Sequence, residues 1–128
     1  MPGLIGCAFD NYGDIKFEDE QARLDNFAIQ LTNEPLFSGH ILISAGQETF
    51  EKEAEERLSR AKSYLADVRG IDPNRIVTVD CGFSRELTAQ LWIVPVGAAP
   101  PACLDYLELP FSDVKFTKPR PKSSKKPR

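Results

Sequence analysis

AEERLSRAKSYLADVRGIDPNRIVTV, residues Ala54 to Val79, reads as a helix, a glycine stop, a proline turn and a buried strand. Ala54, Leu58, Ala61, Leu65 and Val68 recur at a 3.6-residue period and predict one buried helix face. Gly70 can adopt the left-handed conformation that closes a helix, with Ile71 folding back as the apolar contact. Asp72-Pro73 then opens a turn and blocks a return to helix, and Arg75-Ile76-Val77-Thr78-Val79 enters a strand.

The flanking sequence extends this unit in both directions. Ala8 to Tyr12 and Ile15 to Phe17 are short extended candidates, after which Asp19 is expected to cap a helix carrying Leu24, Phe27, Ala28 and Leu31 and ending at Asn33-Glu34-Pro35. Gly39 to Ala45 is an apolar, β-branched run suited to a central strand. Thr49 is expected to cap the second helix, whose acids precede its bases in the order that complements a helix dipole. Beyond a turn at Cys81-Gly82-Phe83-Ser84, Leu87, Ala89, Leu91 and Ile93 alternate with Thr88, Gln90, Trp92 and Val94. That period of two predicts a strand running antiparallel to Ile76–Asp80, since the intervening loop is too short for a crossover helix.

The helix bearing Leu58-Ser59 and Arg60-Ala61, its Tyr64-Leu65 end, Gly70-Ile71 and Arg75-Ile76 resembles the C-terminal domain of OmpA and of the peptidoglycan-associated lipoproteins. The resemblance covers Cys7 to Pro101 and is most specific from Arg57 to Val79. It implies an α+β fold: a two-layer βαβαββ domain with a mixed four-stranded sheet, order 1-4-2-3, and two helices on one face. It also implies a non-catalytic cell-envelope module in the periplasm or at the outer membrane. Domains of this kind hold the zwitterionic end of peptidoglycan diaminopimelate, an aspartate taking the ammonium and a helix arginine the carboxylate.

Only half of that clamp is recognisable in the sequence. The family's spacing, eight residues back from Leu65, implies Arg57 as the clamp arginine, with Arg60 its rival from the local Arg60-Ala61 string. The loop aspartate is missing: Ser44-Ala45-Gly46-Gln47-Glu48 is short and offers Glu48, or Glu51 just beyond it. The competing reading is surface pairing, because Glu53–Arg57 and Glu56–Arg60 both have the favourable i, i+4 order. His40 is the sole histidine and has no neighbouring ligand set for a metal, while Cys81 reads as a small buried filler. No nucleophile, base or phosphate loop argues for catalysis or a cofactor. The 1-4 strand adjacency of the family would let Cys7 meet Cys103, although spacing alone fixes no pairing among three cysteines.

Seven of the sixteen basic residues lie between Lys115 and Arg128 with no acid among them, leaving residues 1–114 with nine bases against nineteen acids and a net charge of −10. Residues 102–128 read as a Pro/Lys/Arg-rich tail on a domain spanning 7–101. Beyond about Lys115 the tail is expected to be disordered, having too little apolar surface to offset the entropy of ordering. Lys118 to Arg128 would attract anionic polymers or other envelope proteins in a salt-sensitive way, without sequence-specific nucleic-acid recognition. The longest nearly apolar run, Leu91 to Leu104, is interrupted by three prolines and too short to span a bilayer. Leu4-Ile5-Gly6-Cys7 has the form of a lipoprotein cleavage box, but no working signal peptide is expected from this start, because its apolar region needs about 7–15 residues; a start further upstream would restore the box. Two readings remain open: an envelope module with a weakened peptidoglycan site, and a scaffold domain that has lost the clamp and makes contact through its basic tail.

Overall fold

A computed structural model describes residues 6–104 and 108–121. Strand β1 (Cys7–Tyr12) leads to helix α1 (Phe17–Asn33), strand β2 (Ser38–Ala45) and helix α2 (Glu53–Ser63), followed by β3 (Ile76–Phe83) and β4 (Thr88–Val94). The strands form one mixed sheet in the order β1-β4-β2-β3. β4 runs antiparallel to both β1 and β2, while β2 and β3 are parallel. The fold is therefore the α+β, two-layer arrangement expected from the sequence.

Both helices share one core with one face of the sheet. Leu24, Phe27, Ala28 and Leu31 of α1 and Ala54, Leu58 and Ala61 of α2 are buried with Ile41, Ile43, Ala89, Leu91 and Ile93. A methyl group on Gly39 would come within 2.8 Å of the Phe27 ring and 3.0 Å of Leu31. α1 can therefore approach β2 this closely only because position 39 has no side chain.

The opposite sheet face forms a second, smaller buried layer. His40 and Leu42 are buried there, although helix-facing residues flank each of them along β2. Leu42 pairs with Val79, and His40 with Val77 and Trp92. Leu42 and Val77, expected from their apolar strands to share one core with Leu58, Ala61, Leu65 and Leu91, both belong to this second face, and Val77 is exposed. With apolar residues on both faces of β2, alternation cannot say which face the helices cover.

Several local boundaries differ from the sequence reading. Phe17 opens α1 rather than closing a strand, and Lys16, not Asp19, is the N-cap. Lys52, in the left-handed conformation, caps α2; Thr49 instead donates its hydroxyl to Glu53. After Ser63 the helix widens into a π-helical turn over Tyr64–Val68, with the Arg69 amide bonded to the Tyr64 carbonyl. The widening breaks the 3.6-residue period, so Leu65 remains fully buried while Val68 is exposed. Gly70, at φ 75°, ends the segment, and the amide of buried Ile71 returns to the Leu65 carbonyl at 3.0 Å.

Arg75 fastens this unit to the rest of the domain. Its guanidinium donates to the carbonyls of Leu31, Glu34 and Phe37, at the C-terminal end of α1 and just beyond. The Leu31 and Glu34 carbonyls lie at the negative end of the helix dipole, which suits a cation.

Cysteine pairing departs from the family-based expectation. Cys81 lies within β3, not in a turn, and is disulfide-bonded to Cys103 rather than acting as a filler; Cys7 is free and exposed. Cys7 belongs to one edge strand and Cys81 to the other, about 14 Å away across three inter-strand spacings. A bond to Cys81 therefore takes Cys103 out of reach of Cys7.

The packed unit continues beyond residue 101. The Leu109 amide bonds to Phe83, Lys115 bonds to both Gln47 and Thr49 through the backbone, and Phe111 and Phe116 pack with Phe83. Lys115 to Pro121 thus lies on the domain, contrary to the disorder expected from its composition. It is held by backbone hydrogen bonds, the Phe116 contacts and ion pairs of Lys118 and Arg120 with acids of the body, and a tally of apolar residues registers few of these. The remaining tail, 122–128, lies outside the described residues.

Candidate functional site

The loop between β1 and α1, the outer face of α2 and the chain after Phe116 converge around an open cleft of about 340 Å³. Arg57, Arg60, Asp14 and Lys118 line it, and Glu53 lies beside it, accepting from both Arg57 and Lys118. Glu53 begins α2, and positions 53, 57 and 60 fall on one helical face. Helical spacing therefore explains why these three side chains gather; Asp14 and Lys118 arrive from distant sequence.

Arg57 is mostly buried and holds two acids together. Its Nε donates to Glu53 at 3.0 Å and its Nη2 to Asp14 at 2.6 Å. The Lys118 ammonium lies against the same pair, 2.8 Å from Asp14 and 2.6 Å from Glu53. The Glu53 side chain is fully buried, whereas half of the Asp14 side chain remains accessible. Burial works to raise the carboxyl pKa of both acids, but hydrogen bonds and positive charge from Lys118 and Arg57 outweigh it, so both sit below their ordinary values.

Arg60 has a different set of partners. Its guanidinium stacks on Phe17 at 4.2 Å and its Nη2 donates to the buried Glu20 at 2.9 Å. Its Nε is buried and has no hydrogen-bond partner among the described residues. Tyr12 also donates to Glu20, at 2.5 Å; burial, reinforced by the carboxylate's charge, pushes the phenol pKa up and keeps this hydroxyl a donor.

The two anticipated surface pairs have separate outcomes. Glu53–Arg57 forms as an i, i+4 pair, but Glu56 pairs with Arg120 at 2.6 Å, leaving Arg60 to Glu20. Glu48 is exposed and forms a β-bridge with Lys115; it does not line the cleft. The acid beside Arg57 is instead Asp14, in a loop that local sequence gives no reason to connect with α2. Glu20 and Lys118 were equally inaccessible to pattern reading, because their partners lie 40 and 65 residues away.

Chemically, the cleft is a nearly balanced array of guanidinium, ammonium and carboxylate groups. It can exchange ion-pair partners with a small zwitterion or a charged chain end. Among the described residues, no group of three or more His, Cys, Asp or Glu side chains is arranged to hold a metal ion, and no helix is long and apolar enough to cross a membrane. No protein-family model matches the sequence, and no curated protein matches it.

Proposed function

We propose that this chain is a non-catalytic cell-envelope module of the OmpA C-terminal type, and that its Arg57 cleft binds the zwitterionic end of peptidoglycan diaminopimelate non-covalently. The observation that carries this reading is the Asp14–Arg57 contact at the open cleft: a half-exposed carboxylate and a guanidinium held 2.6 Å apart. A zwitterion needs both signs within a few ångströms, and Asp14 supplies the acid that the short loop before α2 lacks. The Cys81–Cys103 disulfide also favours an oxidising compartment. Fold alone would not carry the assignment.

A purified-sacculus pull-down, with and without free diaminopimelate, tests this reading. The wild type should be retained and released by the free amino acid, while Arg57→Ala and Asp14→Asn should lose retention. Equal retention of wild type and Arg57→Ala would remove Arg57 from the site. One observation favours the second reading, a scaffold contacting anionic partners through basic residues: Lys118 and Arg57 together already balance Asp14 and Glu53. On that reading, retention on sacculi fails for every form, while binding to anionic polymers survives Arg57→Ala.

A further inference from the structure

We propose that the segment Thr117–Pro121 is a displaceable strap, and that its Lys118 ammonium occupies the position an incoming ligand's ammonium must take. This inference rests on the binding role proposed for the cleft. It adds that the chain's own C-terminal segment competes for that site.

The first argument is the geometry at Nζ. Asp14 Oδ2 and Glu53 Oε2 both accept from this one ammonium, at 2.8 and 2.6 Å, while Arg57 secures the same two acids from its own side. A primary ammonium replacing Nζ would find both acceptors in place, and an attached carboxylate would have the basic side of the cleft beside it.

The second argument is the cost of leaving. When Lys118 departs, Glu53 keeps Arg57 at 3.0 Å and the Thr49 hydroxyl at 2.8 Å, and Asp14 keeps Arg57. The one net negative charge left on the Asp14–Arg57–Glu53 trio is what an incoming ammonium would neutralise, and each acid keeps a charged hydrogen-bond donor. That is the condition for opening without a large penalty.

The third argument is how the strap is attached. Upstream, Lys115 exchanges backbone bonds with Gln47 and Thr49, at 2.7 and 2.9 Å, and Phe116 sits in an aromatic cluster. From Lys118 onward, the Lys118 amide makes one backbone bond, to Thr49 at 3.2 Å, and Pro119 and Pro121 have no N–H to give. The other attachments come from side chains: Lys118 in the cleft, and Arg120 on Glu56, the Glu51 carbonyl and the Phe50 ring. The strap can therefore lift while Lys115 and Phe116 remain docked, as expected of a low-stability local opening.

Binding assays on the full chain, paired with hydrogen exchange, test the proposal. A strap closed nine-tenths of the time weakens apparent affinity about tenfold, so Lys118→Met should bind free diaminopimelate roughly three- to tenfold more tightly than wild type. Lys118→Arg, which restores a cation, should return toward wild type. Tighter binding by Lys118→Met supports the proposal, and equal or weaker binding overturns it. If neither protein binds diaminopimelate, the binding role fails and exchange judges the strap separately. Methylammonium added to the wild type should accelerate exchange of the Lys118 amide while leaving the β2 amides unchanged. Acceleration shows that an external ammonium displaces Lys118; no acceleration, or acceleration only together with the sheet, overturns the strap.

Discussion

Leu65, His40 and Arg75 each carry a stability prediction of a different kind. Leu65 is fully buried at the widened turn, so Leu65→Ala should cost about 2–5 kcal/mol in chemical denaturation. A loss of a few tenths would place that side chain outside the tightly packed core. His40 is buried on the face opposite the helices with its Nδ1 unpartnered among the described residues, and burial holds its pKa below the ordinary 6.5. The unfolded chain therefore takes up the proton first, and this contribution to stability declines as pH falls below 6.5 toward the lower folded-state pKa. One such group contributes at most about 1.4 kcal/mol per pH unit. Urea unfolding at about pH 7 and pH 5.5 should show this decline in wild type and a smaller one in His40→Gln; equal slopes would exclude His40 as its source. Arg75→Ala removes a charged donor from three carbonyls and should cost about 1.5–3 kcal/mol, with Arg75→Lys recovering only part of it. Of these three roles only Leu65's was legible in the sequence. Its burial follows from helical spacing, whereas the other two depend on which element lies opposite.

At the scale of elements, legibility followed the range of the interaction. The α2 face, the Gly70 stop and the β4 alternation depend on neighbours within a few residues, and all three are present in the structure. The strand order came through the family resemblance, since no periodicity states that β4 inserts between β1 and β2. Val68 was misplaced because a π-helical turn changes phase inside an otherwise regular helix, and Cys81 because its partner lies 22 residues away. Arg57 and Arg60 came through the family resemblance as candidate clamp arginines and both line the cleft, but Asp14 could be joined to them only by the fold. The disulfide carries its own prediction. Closing a loop of this length should stabilise the domain by about 3 kcal/mol, so Cys81→Ala/Cys103→Ala should lose roughly 2–4 kcal/mol in denaturant. Cys7→Ala should leave stability nearly unchanged, because Cys7 is free and exposed. A Cys7→Ala loss matching that of the double variant would contradict the Cys81–Cys103 pairing.

Across the whole molecule, the acidic body and the basic C-terminal segment are electrostatic complements. Residues 1–114 carry a net charge of −10, and two of the seven basic residues that follow, Lys118 and Arg120, are paired with Asp14, Glu53 and Glu56. Among the described residues this stretch is docked through Pro121; Lys122, Lys125, Lys126 and Arg128 lie beyond them. Composition alone treats these parts alike, and two truncations should separate them. Removing residues 122–128 leaves the ion pairs of Asp14, Glu53 and Glu56 seen among the described residues intact and should barely change the Tm. It should nevertheless weaken binding to heparin or anionic vesicles, because four positive charges are lost. Removing residues 118–128 also withdraws one of the two cations bonded to the buried Glu53. That should cost about 1–3 kcal/mol, toward the lower end because Arg57 and Thr49 still compensate the carboxylate, and should lower the Tm by several degrees. The stability difference between the truncations should narrow at high salt, where screening of the partly exposed Lys118 and Arg120 pairs shortens to about 3 Å. Identical melting of both truncations and the full chain would mean that the docked segment contributes no stability through its ion pairs. Salt-independent heparin binding would instead locate the polyanion contact away from these lysines and arginines.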